Sequence, residues 1–285
     1  MDIVNTIVQG TLLGGLYALY AAGLSLIFGV MRLINLAHGD LIVLAAFVLL
    51  AMVTALGLPL PIALLILLPF AFAMGWALQR YLLNRTLGDD ILLPLLVTFG
   101  LQILIQNGLL VAFSADSRKL SLGAIETQSV NLLGVSIGVV PLITFLVAIL
   151  VLGALSYIFY GTGLGRRLRA TSDSTEVVQL MGVNPRIVFA IAMGISFVVL
   201  TIAAFFMGVR SNFDPSVGPA RLLYAFEAVV IGGLGSLWGT LAGGVILGIA
   251  QAIGARINPE WQILTGHLVF LVFIIFRPRG LFPKQ

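Results

Sequence analysis

Apolar residues run almost unbroken along this chain, and its polar interruptions are what divide it. Long apolar stretches lie at about 6–30, 36–56, 61–83, 91–113, 137–160 and 187–209, followed by a Gly-broken run at 222–254 and a last one at 260–276. Polar breaks separate them at 31–35, 57–60, 84–90, 114–136, 161–186, 210–221 and 255–259. A hydrocarbon core about 30 Å thick takes about 20 apolar residues per helical span. The alternation expected of a membrane barrel is absent. The pattern predicts an all-α polytopic membrane protein of about eight transmembrane segments plus a broken re-entrant helix pair, in one transmembrane domain over residues 1–285.

Composition agrees. The chain is 60% hydrophobic and 9% charged, where soluble domains carry about 25% charged residues. Asp2 and the lack of a basic leader predict that the first apolar run is a span and not a cleaved signal.

The placement of Lys and Arg sets the expected orientation, because cytoplasmic loops keep positive charge. With the central loop and the tail inside, ten basic residues are cytoplasmic: Arg32, Arg80, Arg85, Arg166, Arg167, Arg169, Arg186, Arg277, Arg279 and Lys284. Five lie opposite: Arg118, Lys119, Arg210, Arg221 and Arg256. The N-terminus is then outside and the C-terminus inside. The 187–209 span exits outside and the last span must start there, so residues 222–254 must enter and return. Two short helices are expected to meet at membrane depth near Gly232-Gly233-Leu234-Gly235-Ser236. Non-helical backbone at that depth is tolerated only inside protein or along a polar cavity, and broken helices often mark a transport route. One long tilted helix is the rival reading, and it would violate the charge rule. Gly10-x3-Gly14, Gly235-x3-Gly239-x3-Gly243 and Gly244-x3-Gly248 have the spacing that lets helices approach closely in lipid. They read as packing faces within the bundle or with a second membrane subunit.

The central loop, Gly161 to Arg186, contains a short helix of its own. Asp173 and Glu176 have capping-box spacing. Val177, Leu180 and Met181 then form one apolar stripe. Gly182 can end the helix in the left-handed conformation, and Asn184-Pro185 suits the start of the next span. A greasy face in water either lies flat on the bilayer or docks a soluble partner.

Little else carries chemistry. Neither Lys119 nor Lys284 sits in a Walker phosphate loop, and no Gly-x-Ser-x-Gly elbow occurs. There are no cysteines. His38 and His267 lack metal-ligand spacing, so each reads as a cap or a helix-contact residue. No cofactor, metal, nucleic acid or catalytic residue is expected. The candidate pathway residues are few: Glu227, alone in an apolar stretch; Gln102, Gln106 and Asn107 on the fourth span; Asn35 and His38 at the inner mouth of the first two; and Gly232, Gly233 and Gly235 at the break. Helix bonding is the rival role for the amides, capping and packing for Asn35 and Gly39. Intramembrane charges are too few for a typical proton pump.

Ala21-Ala22-Gly23-Leu-Ser-Leu-Ile-Phe28-Gly29-Val30 with Asn35-Leu-Ala-His38-Gly39, Gly165-Arg166-x2-Arg169-Ala170, Gly232-Gly233-Leu234-Gly235-Ser236-x2-Gly239 and Arg277-Pro278-Arg279-Gly280-Leu281-Phe282 occur in that order. Together they resemble bacterial branched-chain amino acid ABC permeases along essentially the whole chain. The resemblance implies the smaller of two non-identical permease subunits in a binding-protein-dependent importer of the inner membrane. Its partners would be two cytoplasmic ATP-binding subunits, a second homologous permease and a periplasmic substrate-binding protein. Glu176-Val177-Val178-x3-Gly182 is similar to the Glu-Ala-Ala-x3-Gly coupling loop that docks into an ATPase groove, with valines in place of both alanines. Arg169, Asp173, Glu176, Val177, Leu180, Met181 and Gly182 are then expected to serve coupling. The family includes urea, amide and aromatic-acid importers, so the solute does not carry over. A stand-alone channel or secondary carrier for a small neutral solute is the alternative, but it has no need of an apolar-faced helix in this loop.

Overall fold

The computed structural model describes residues 2–87, 92–132 and 135–282. Lys284, one of the basic residues of the tail, lies outside them. Eleven α-helices are described: α1 (Asp2–Met31), α2 (His38–Leu56), α3 (Leu60–Ala77), α4 (Leu92–Phe113), α5 (Val139–Gly161), α6 (Gly163–Asp173), α7 (Thr175–Leu180), α8 (Pro185–Arg210), α9 (Gly218–Gly232), α10 (Leu237–Ile257) and α11 (Trp261–Phe276). α3 continues through a wide turn at Leu78–Leu82 and a tight one at Leu83–Arg85. A two-stranded antiparallel hairpin, β1 (Ser129–Leu132) and β2 (Val135–Gly138), departs from the all-helical expectation. Its apolar and polar positions alternate at the period of a strand.

Seven described helices are long and apolar enough to cross a membrane: α1, α2, α3 with its continuation, α4, α5, α8 and α10. α11, at 16 residues, is apolar but shorter. α9 is the short arm of the broken pair. The spans and the break therefore fall where the hydropathy pattern puts them.

α1 is the axis, packed by α10, α8, α9 and α5. Its contact with α10 is backbone on backbone. A Cβ at Gly10 would lie 2.6 Å from the Cα of Ile249, and one at Gly14 would lie 2.6 Å from the carbonyl oxygen of Gly244. Seen from α10, a Cβ at Gly244 would meet the Gly14 oxygen at 2.6 Å, and Gly248 packs on the Gly10 carbonyl. The four-residue glycine spacing thus builds this chain's own core. α9 meets α10 the same way through Gly232, Gly239 and Gly243, and α2 meets α9 where Gly39 rests on the Gly218 carbonyl.

The bundle has two distinct ends. At one, the hairpin touches α1 through Gln9, whose side-chain amide donates to the Ser136 carbonyl at 2.8 Å. There an extended segment also pairs with the end of α8. Arg118 and Phe213 exchange backbone hydrogen bonds at 2.8 and 2.9 Å, and the Leu120 amide donates to Gly208 at 2.9 Å. At the other end lie α6, α7, the α9–α10 turn and the tail. The central loop and the tail, where basic residues concentrate in sequence, share one end of the molecule.

The turn between α9 and α10 differs from expectation in depth. It lies level with the last turn of α1, where a Cβ on Gly29 would come 3.2 Å from the Cα of Gly235. α10 has 21 residues and runs on as a full span, so only α9 is short. The deep re-entry belongs to α2. After α1 ends at Met31, residues 32–37 run back into the bundle. The His38 imidazole then reaches the carbonyl of Tyr20 at 2.8 Å, about three helical turns before the end of α1.

Val at Gly14 would force the α1 and α10 backbones apart, an overpacking that costs about 1–3 kcal/mol. Gly153 on α5 has open space at its Cβ position. Thermal unfolding in detergent is expected to show a clearly lowered midpoint for Gly14→Val and an unchanged one for Gly153→Val.

Candidate functional site

The central loop folds as two helices. α6 was not foreseen, because only Gly165, Leu168 and Thr171 on it are buried. Thr162 caps it by accepting from the Gly165 amide at 3.1 Å. Gly165 packs on the carbonyls at the end of α5. The guanidinium of Arg169 donates to the Phe159 carbonyl and lies 5.8 and 5.4 Å from the ring centroids of Phe159 and Tyr160. Arg169 thus faces inward and fixes α6 to α5. Ser172 donates to the Gly29 carbonyl at 2.8 Å, tying the far end of α6 to α1.

α7 stands out from this base. Its N-cap is Ser174, whose hydroxyl accepts from the Val177 amide at 3.3 Å. The expected cap, Asp173, is instead the last residue of α6. Only Ser174 has the extended backbone a cap requires. Glu176 lies in the first turn, where the helix dipole favours a carboxylate. Val178 is buried, while Val177, Leu180 and Met181 are 55%, 89% and 76% exposed. Gly182, at φ +79°, ends the helix in the left-handed region. Asn184 caps α8 by accepting from the Arg186 amide at 3.0 Å. An open cleft of about 440 Å³ lies beside α7, lined by Gln179, Gly182, Val183, Asn184, Pro185 and Arg186. The helix thus stands on the α6 base and offers an apolar tip next to a concavity.

The predicted pathway residues do not form one cluster. Asn35 and His38 are fully buried. The Asn35 carboxamide oxygen accepts from the Ala37 amide at 3.0 Å, which shapes the turn into α2 although the cap position is Ala37. His38 donates through Nε2 to Tyr20 and lies near Ser196, both beside Gly23. Glu227, 1% exposed, sits on α9 and pairs with His267 of α11 at 2.5 Å. Next to that pair, Gln251 on α10 accepts from the Tyr17 hydroxyl at 2.5 Å. Gln102 and Asn107 lie apart from these groups on α4, where Asn107 is exposed and donates to the Ile103 carbonyl at 2.8 Å. Gly232, Gly233 and Gly235 form the α9–α10 turn at the α7 end.

Two groups escaped the sequence reading. Asp40 is buried with its carboxylate against Gly218, at the positive end of α9. A lone acid in the first turn of a long apolar span was the available signal. The Tyr17–Gln251 bond joins residues 234 apart, and no local pattern marks it.

The chain is thus a bundle of helices long and apolar enough to cross a membrane, with an apolar-tipped helix at one end. The model for the family described as "Branched-chain amino acid transport system / permease component" matches residues 6–276, and the chain belongs to that family. Among its relatives is the high-affinity branched-chain amino acid transport system permease protein BraD of Pseudomonas aeruginosa, 28% identical over 99% of this chain and 96% of that one. The permease protein LivH of the same type of system in Escherichia coli K12 is 26% identical over 97% and 94%. In fold, the chain resembles PsaBC from Streptococcus pneumoniae, solved in complex with Fab, with a TM-score of 0.52 and 16% identity over 95% of this chain and 91% of that one.

Removing one partner of a buried hydrogen-bonded pair costs about 1–3 kcal/mol, because the other is left unsatisfied. His267→Ala is expected to lower the unfolding midpoint, and adding Glu227→Leu to recover part of the loss. A double variant as unstable as the sum of both singles would show that the pair is not coupled.

Proposed function

We propose that this chain is the smaller permease subunit of a binding-protein-dependent ABC importer in a bacterial inner membrane, carrying branched-chain or related hydrophobic amino acids. It works with a second, non-identical permease, two cytoplasmic ATP-binding subunits and a periplasmic binding protein. The observation that carries this reading is α7. Its three apolar side chains stand exposed on a helix whose base is fastened to α5 and α1. The names of its relatives support the substrate class, and the concentration of basic residues at the α7 end supports a cytoplasmic location for that end. The N-terminus is then outside.

In this mechanism Val177, Leu180 and Met181 insert into a groove on the ATPase, with Glu176 and Gly182 setting the ends of the docked helix. Closure of the ATPase pair pushes α7, and α6 carries the push to α5 and α1. Specificity rests mainly with the external binding protein. The permease needs only a weak route, lined in part by Asn35, His38 and Glu227.

Leu180 is exposed, so Leu180→Asp costs little in folding. It is expected to abolish association with the ATPases and to reduce uptake of radiolabelled leucine into vesicles to background, with insertion unchanged. Retained co-purification in both Leu180→Asp and Gly182→Asp would refute docking. Leucine uptake that needs neither ATP nor the binding protein would favour a channel or secondary carrier.

A further inference from the structure

The tail Arg277–Phe282 has an identifiable structural partner. A helix leaves its last carbonyls without intrahelical donors. On α9, the Gly233 amide serves the Val229 carbonyl at 2.9 Å. The carbonyls of Ile231 and Gly232 belong to buried residues. Both are served from about fifty residues downstream: the Leu281 amide donates to Ile231 at 2.9 Å and the Phe282 amide to Gly232 at 3.0 Å. The approach needs Gly280, at φ +74°, where a Cβ would lie 2.5 Å from the nitrogen of Gly233. Gly233 has φ +105°, and a Cβ on it would meet the Phe282 oxygen at 2.7 Å.

We propose that this tail is a backbone strap that serves the α9 carbonyls left open beyond the local Gly233 cap and holds the α9–α10 turn closed against the end of α1. On the turn's other side, Gly235 rests on Gly29, whose carbonyl also accepts from Ser172 of α6. The strap positions the turn beside the base of the α6–α7 lever. Its donors are main-chain amides, so the side chains of Leu281 and Phe282 are dispensable and their N–H groups are not. This role does not depend on which solute is carried.

The chain has no cysteine, so a single Leu234→Cys reports on the turn without background. Its rate of maleimide labelling in permeabilised membranes is the readout. Leu281→Pro removes one donor and is expected to speed labelling by about tenfold as the turn opens locally. Leu281→Ala keeps the donor and is expected to label at the parent rate. Equal rates for the Pro and Ala variants would overturn the strap. If Leu281→Pro fails to accumulate, hydrogen exchange on the parent chain decides. Slow exchange at the Leu281 and Phe282 amides supports the strap, and exchange as fast as in a free terminus refutes it.

Discussion

Two helices already in lipid gain no hydrophobic energy by touching, since lipid tails are as apolar as leucine. What holds α1 to α10 is close contact, and close contact needs side chains small enough to let the backbones meet. Gly10 and Gly14 on one helix and Gly244 and Gly248 on the other supply it. The rest of the arrangement depends on this pair. α10 carries α9 through Gly239 and Gly243, α9 carries α2 at Gly218, and the α9–α10 turn meets the end of α1 at Gly29. A side chain at the α1–α10 or α9–α10 glycines would push backbone against backbone, whereas one at Gly29 would need a shift of only a few tenths of an ångström.

Much of this was legible in the chain because it depends on local pattern. Span positions follow from hydropathy, the left-handed stop at Gly182 from its residue type, and the glycine faces from their spacing. What was not legible depends on where distant segments meet. The pattern marked the α9–α10 break but not its depth, since the turn rests against Gly29 at the end of α1, a contact between distant segments. It placed the N-cap of α7 at Asp173, whereas α6 extends through that residue and leaves the role to Ser174. Arg169 read as part of the coupling surface, yet the Phe159 carbonyl and two rings draw it inward. Asp40 and Gln251 acquire roles only once α9 and α1 lie beside them.

Several buried polar groups in this bundle bond backbone or another helix, while the side-chain oxygens of Ser25, Asp40 and Ser196 have no hydrogen-bond partner. His38 joins α2 to the middle of α1, Glu227 joins α9 to α11, and Tyr17 joins α1 to α10. An unpaired polar group in lipid is costly, so these bonds fix where helices sit as well as holding them together. In the importer proposed above, a binding protein that has already selected the solute would relieve the permease of building a tight polar site.

A push at the tip of α7 can reach the bundle only if its base does not yield. α6 meets that requirement at both ends, through Arg169 and Gly165 on α5 and through Ser172 on α1. Gly29, which receives the Ser172 bond, is also the residue against which the α9–α10 turn rests. Displacement of α6 would therefore act at a point where the axis helix and the α9–α10 turn already touch. Spatial continuity alone does not demonstrate energetic coupling. Here α6 is joined to α5 and α1 by the side chains of Arg169 and Ser172 bonding backbone carbonyls, and Gly235 packs on Gly29 with no side chain between. A soft linker would absorb the motion of a lever; in the proposed mechanism these bonds and the glycine-to-glycine contact pass movement at the exposed tip to whole helices.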